Sequence, residues 1–185
     1  NESKELIQKW HGKGRLQYAV TPRFAPTSSK AQLDKAGQLL KEFPGVYLHT
    51  HLSENKKECA WVSDLFANAK HYLDAYDQSD LLTRRSVFAH GIHLCDDEFS
   101  RLSESESAIA FCPTSNLFLG SGLFHLKKAE AHGVNVGLGT DVGAGTSFSL
   151  LQTMNEAYKT QQLRGDKLNP FKSMYLATLG GANAL

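Results

Sequence analysis

The sequence predicts an α/β fold on a parallel sheet, and between the two architectures of that kind a barrel fits better than an open sheet. Three observations lead there. Five short β-like runs alternate with longer helical ones along the 185 residues. Polar residues able to do chemistry fall repeatedly at or just beyond the C-terminal ends of those runs. No apolar stretch approaches the ~20 residues a membrane helix needs, and there are no repeats or low-complexity tracts.

Each element carries its own signal. Residues 16–20 have strand character and lead into the turn-rich Thr21-Pro22-Arg23-Phe24-Ala25-Pro26. A helix follows from about Ser29, with Leu33, Ala36, Leu40 and Phe43 at helical spacing, and Pro44-Gly45 ends it. Residues 46–51 form a second strand, and Asn55 with Glu58 three positions on has the capping-box pattern that opens a helix. Residues 86–90 are a third strand, followed by a helix starting near Asp96 or Asp97. Residues 108–112 are a fourth, ended by Pro113; a helix over 124–131 closes on Gly133, and 134–138 is a fifth strand. Helices over 149–163 and 170–179 finish the chain, the last with Asn169 as N-cap and Pro170 at its first position.

This order implies right-handed crossovers within one parallel sheet. A doubly wound open sheet and a TIM (β/α)8 barrel both satisfy it. Arg23, His51, His90, Thr114-Ser115-Asn116 and Asp141 each lie at a strand's C-terminal end, and chemistry gathered from several strand ends marks the top face of a barrel. The length suits a single domain, residues 1–185, holding part of such a barrel. The chain starts at Asn1 and stops at Leu185 directly after an apolar helix-like run, so a fragment of a larger barrel is expected.

Composition narrows the function classes. The chain is 41% hydrophobic and 21% charged, ordinary for a globular domain. Twenty Lys and Arg against nineteen Asp and Glu leave no field that argues for nucleic acid or an anionic membrane as partner. Cys59, Cys95 and Cys112 sit in or beside apolar runs and are expected as buried free thiols in a reducing compartment, with cytoplasm as the default.

His51 is followed three positions later by Glu54. Imidazole at a strand end is a good zinc ligand, and the carboxylate can reach the same site without binding metal. A reading of His49 and His51 as polar strand residues and Glu54 as a solvated charge at a helix start serves about as well. His90 ends an apolar run, where a hydrogen-bonded core histidine is the commoner outcome; His93 gets no role. Asp141 after the run 136–140 needs a partner, a metal or a turn to cap. The glycines around it do not make a dinucleotide fingerprint, because Val142 stands where the third glycine belongs. Gly-x-Ser-x-Gly and the Pro-Cys-x-x-Cys of the cytidine-deaminase zinc site are both absent, and Cys112, with no basic neighbour in sequence, is expected to be inert.

His51-Leu52-Ser53-Glu54, Phe88-Ala89-His90-Gly91, Phe111-Cys112-Pro113-Thr114-Ser115-Asn116 and Gly137-Leu138-Gly139-Thr140-Asp141, in this order, resemble the amidohydrolase superfamily, as does Ala177-Thr178-Leu179-Gly180-Gly181-Ala182. Thr21-Pro22-Arg23-Phe24 and Leu119-Gly120-Ser121-Gly122 resemble its guanine-deaminating branch. The resemblance implies a zinc-dependent barrel enzyme, one Zn2+ per intact site. His51 and Asp141 would be ligands on the fifth and eighth barrel strands. Asp141 would also accept a proton from the attacking water, Glu54 would pass it to a purine ring nitrogen, and His90 would hydrogen-bond the attacking oxygen. Arg23 and Phe24 would bind guanine or a related purine, with His51, Glu54 and Asp141 lining the same site. The family takes two further ligands from a His-x-His on the first barrel strand, which is absent here together with the small flanking β-domain. Zinc is therefore expected to be weakly held, or missing, in these 185 residues, and the fragment inactive. A homodimer is implied for the intact enzyme. The alternatives are an aminohydrolase or chlorohydrolase acting on another heterocycle, and a non-catalytic barrel fragment.

Overall fold

A computed structural model describes residues 2–185. Helix α1 (Glu2–Trp10) precedes β1 (Ala19–Val20), a 3-10 turn (Ala25–Thr27) and α2 (Lys30–Glu42). Then come β2 (Tyr47–Leu52), α3 (Lys56–Leu65), α4 (Tyr72–Asp77), β3 (Ser86–His90), α5 (Asp96–Glu104) and β4 (Ala108–Phe111). Helices α6 (Pro113–Phe118) and α7 (Leu126–Ala131), β5 (Asn135–Leu138), α8 (Leu150–Leu163), α9 (Pro170–Ala177) and α10 (Leu179–Asn183) complete the chain. The strands pair in parallel in the order β1-β2-β3-β4-β5, so every crossover returns to the neighbouring position, as in a partial TIM barrel. Among the described residues no helix is long and apolar enough to cross a membrane.

Local chemistry sets the helix starts. Ser29, Ser149 and Asn169 each accept the backbone N–H three residues on, and Asn55 with Glu58 closes both halves of the expected capping box. The first strand is shorter than its sequence suggests, two residues instead of five. Leu16 is half exposed and turns back toward Gly12 through the Gly12 N–H to Leu16 carbonyl bond. The last helix is broken at Thr178, which leaves helical geometry and separates α9 from α10. Helices α1, α4, α6 and α10 are additions to the sequence reading. In α6, Pro113 ends the strand as expected but also occupies the first helical turn, where its missing N–H costs nothing.

The register places Thr50, Phe88, Ile109 and Val136 side by side across four strands, and all four are buried. This face packs with Leu33, Leu73, Phe99 and Leu102 of the surrounding helices into one core. The opposite face carries His49 beside Val87 and His51 beside Ala89, which in turn pairs with Ala110. Helix α10 closes on Gly137 of β5, where a Cβ would lie 2.9 Å from the Gly181 Cα, and the Tyr47 hydroxyl bonds to the Leu185 carbonyl.

Candidate active site

The site is assembled where β2, β3 and β5 end. His51 is the best-held member. The Arg23 carbonyl accepts its Nδ1–H at 2.6 Å, its backbone N–H at 3.3 Å and the Thr50 hydroxyl at 3.2 Å. A ring nitrogen donating to a carbonyl leaves the other as a free lone pair, so Nε2 is the open ligand atom of His51. Buried Tyr76 adds a second tie, donating to the His51 carbonyl at 2.7 Å and accepting the Ala25 N–H at 2.9 Å. These bonds clamp the Arg23-Phe24 loop to β2. The Arg23 guanidinium carbon lies 5.3 Å from the Phe24 ring centre, and Phe24 meets His51 edge-on at 6.2 Å and Trp61 at 6.4 Å.

Strand alternation would put His90 on the Phe88 side. Instead His90 has a left-handed φ of 76°, and its ring stacks on His51 with centres 5.3 Å apart. It is 1% exposed. The Asn116 amide nitrogen donates to Nδ1 at 2.9 Å, so the neutral ring carries its proton on Nε2. That nitrogen faces Glu54 Oε1 at 3.8 Å and Asp141 Oδ2 at 4.0 Å. Burial pushes the imidazole down to about 4, more than the Asp141 charge raises it, which keeps His90 a neutral donor near pH 7.

Burial, with the negative charge of Glu58, lifts the Glu54 carboxyl above its ordinary value, so it holds a proton further toward neutrality. Ser121 donates to Glu54 Oε1 at 3.4 Å, and the Ser121 carbonyl in turn accepts the His93 Nε2–H at 2.9 Å. His93, without a role in the sequence reading, thus holds the residue that holds Glu54. Asp141, at φ 48°, begins a tight turn in which its carbonyl accepts the Gly145 N–H at 2.6 Å. A Cβ on Gly145 would sit 1.8 Å from the Thr140 carbonyl, so this turn requires glycine.

Two expectations about the cysteines need correction. Cys59 and Cys95 are only half-buried, because they sit at the starts of α3 and α5 beside a cavity, Cys59 at the edge of the core. Cys112 does have a basic neighbour, for its sulfur, a His90 ring nitrogen and an Asp141 oxygen all lie within 4.8 Å of one another. It remains a poor ligand, since burial holds the thiol strongly protonated and Sγ donates to the Ala110 carbonyl at 3.4 Å.

The structure thus brings Arg23, Phe24, His51, Glu54, His90 and Asp141 to one end of the sheet. Sequence reasoning missed Tyr76, Trp61 and the hydrogen-bonding of Asn116. Only Asn116 had a signal, as part of the polar triplet after the fourth strand. A cavity of about 930 Å3 between α7 and the turn from α8 to α9 is lined by none of the six.

Comparison with known proteins is consistent with this geometry. Residues 1–185 match the amidohydrolase family. The guanine deaminase of Escherichia coli (strain K12) is 58% identical over 185 residues, covering all of this chain and 42% of that protein. The crystal structure of guanine deaminase from C. acetobutylicum with bound guanine in the active site superposes with a TM-score of 0.95 at 31% identity, covering 100% of this chain and 46% of that one. An adenosine deaminase from Xanthomonas campestris with bound zinc superposes at 0.90 and 25% identity, covering 100% and 42%. The chain therefore spans less than half the length of these relatives.

Proposed function

The chain belongs to the amidohydrolase family, and on that premise we propose that it is the C-terminal half of a barrel enzyme that hydrolyses guanine to xanthine and ammonia. The observation that carries the reading is the meeting of two carboxylates, Glu54 and Asp141, at the Nε2 of one buried neutral histidine. The guanine deaminases similar to this chain support guanine as the substrate. A cytoplasmic setting and a homodimeric whole enzyme belong to the same proposal.

The residues present suit zinc. His51 offers a tautomer-fixed lone pair, and Asp141 a carboxylate whose side chain is 31% exposed. Zinc, when bound, makes water acidic enough to act as a nucleophile near neutral pH. Arg23 binds a polar edge of the purine and Phe24 packs against its face. Asp141 accepts a proton from the attacking water, and the His90 Nε2–H donates to the oxygen as it adds to the carbon bearing the exocyclic amine. Glu54 delivers a proton to the ring nitrogen, which keeps negative charge from building up there. Asp141 then returns its proton to the amine as the carbon–nitrogen bond breaks, Glu54 takes the hydroxyl proton as the carbonyl forms, and ammonia leaves. Two ligands fall short of the three usual at a catalytic zinc, so the remaining ones come from outside residues 1–185.

The test is xanthine formation from guanine, followed by ultraviolet absorbance, for the chain completed with the missing barrel strands. Chelator-sensitive turnover supports the reading. No turnover, or turnover indifferent to chelator, overturns it. The 185 residues alone are expected to be inactive.

A further inference from the structure

A second group of metal-ligating side chains lies outside the strand-end site. His71 precedes α4, while Cys95 and Glu98 open α5, and one ligand atom from each lies within 4.8 Å of the other two. All three line a cavity of about 250 Å3 whose wall also includes Ser53, Cys59 and Tyr72. Polar atoms of that wall lack partners: His71 Nε2, Ser53 Oγ and Tyr72 Oη are buried without a hydrogen bond. Ser53 is 1% and Tyr72 6% exposed, so solvent does not satisfy them. Buried polar groups are normally paired, and several unpaired ones around a single cavity point to an occupant.

The chemistry of the donors says which. Glu98 is already oriented, its Oε2 accepting the Cys95 N–H at 2.9 Å and its Oε1 the Leu73 N–H at 3.1 Å. Hydrogen bonds of this kind fix metal-ligating carboxylates in place and leave lone pairs for a cation. The acidic group paired with His71 Nε2 is Asp97, at 3.5 Å and largely exposed, too far for a good hydrogen bond. Imidazole, thiolate and carboxylate together suit a borderline-soft divalent cation, whereas magnesium and calcium prefer oxygen alone.

We propose that His71, Cys95 and Glu98 bind zinc or a similar thiophilic divalent cation, at a site distinct from the one formed by His51 and Asp141. Such an ion ties the start of α4 to the start of α5.

The probe is Co2+ titrated into the reduced 185-residue chain. A thiolate ligand gives a near-ultraviolet sulfur-to-cobalt charge-transfer band, which His51 and Asp141 cannot produce. The band is expected in the unaltered chain, retained in Cys112→Ser, lost in Cys95→Ser and displaced by zinc but not by magnesium. His71→Gln keeps every thiol and should weaken cobalt binding about 10-fold or more. Absence of the band, its survival in a folded Cys95→Ser chain, or its loss in Cys112→Ser overturns the proposal. If Cys95→Ser does not fold, unchanged affinity in His71→Gln does the same.

Discussion

On one face of the sheet Thr50, Phe88, Ile109 and Val136 form an unbroken buried row; on the other, His49 is exposed and His51 half-buried beside Ala89 and Ala110. The same strands supply both. The packed face is made of residues in ordinary extended geometry that gain from leaving water. The end of the open face collects groups that cost the fold something. Ser53, His90 and Asp141 all hold left-handed backbone angles that non-glycine residues avoid, and the Glu54 carboxyl is lifted by burial. The contrast teaches that stability and chemistry can be assigned to opposite sides of a strand, and it can be broken by substitution.

The largest effect is expected at Asp141. In the completed enzyme Asp141→Asn should lower kcat roughly 10²–10⁴-fold, read by xanthine absorbance, while leaving the thermal midpoint nearly unchanged. A fall in stability as large as the fall in rate would erase the distinction between the faces. Phe88→Ala is the converse, with an expected loss of about 3–5 kcal/mol in denaturant unfolding because its ring is fully buried. Tyr76→Phe lies between the two. It leaves the His51 carbonyl without its phenol donor and the Ala25 N–H without its acceptor, for about 1–3 kcal/mol of stability, and it loosens the Arg23-Phe24 loop. The KM for guanine should therefore rise more than kcat falls.

The smallest effect has the opposite sign. Glu54 has its folded pKa raised above the ordinary value, so ionising it works against the fold. Its contribution is intact below the unfolded pKa, and stability is lost as pH rises through the folded value. Glu54→Gln should thus raise the thermal midpoint at neutral pH, with the gain fading below pH 4.5, the ordinary carboxyl value. A midpoint that falls at neutral pH would show that Glu54 supports the fold instead of burdening it.

The strand-end residues were legible because motif and position agreed: His51, Glu54, His90 and Asp141 each follow a run readable as strand, and the structure gathers them. Other features were not. The clamp by Tyr76 reaches across 51 residues to Ala25 and 25 to His51, and nothing local to the segment around Tyr76 signals it. Helix α4, only six residues long, lacks enough turns to display a period.

By itself the sequence determined the order of the five strands, the starts of α2, α3, α5, α8 and α9 and the identities of the chemical groups. Those follow from local rules, since a cap bonds within three residues and alternation repeats every two. Tertiary structure decided the tautomers of His51 and His90, the turn of His90 away from its strand face, and the cavity around His71 and Cys95. Each depends on partners far apart in the chain, Arg23 for His51, Asn116 for His90 and Glu98 beside His71, which only packing of the helices against the sheet brings within bonding distance.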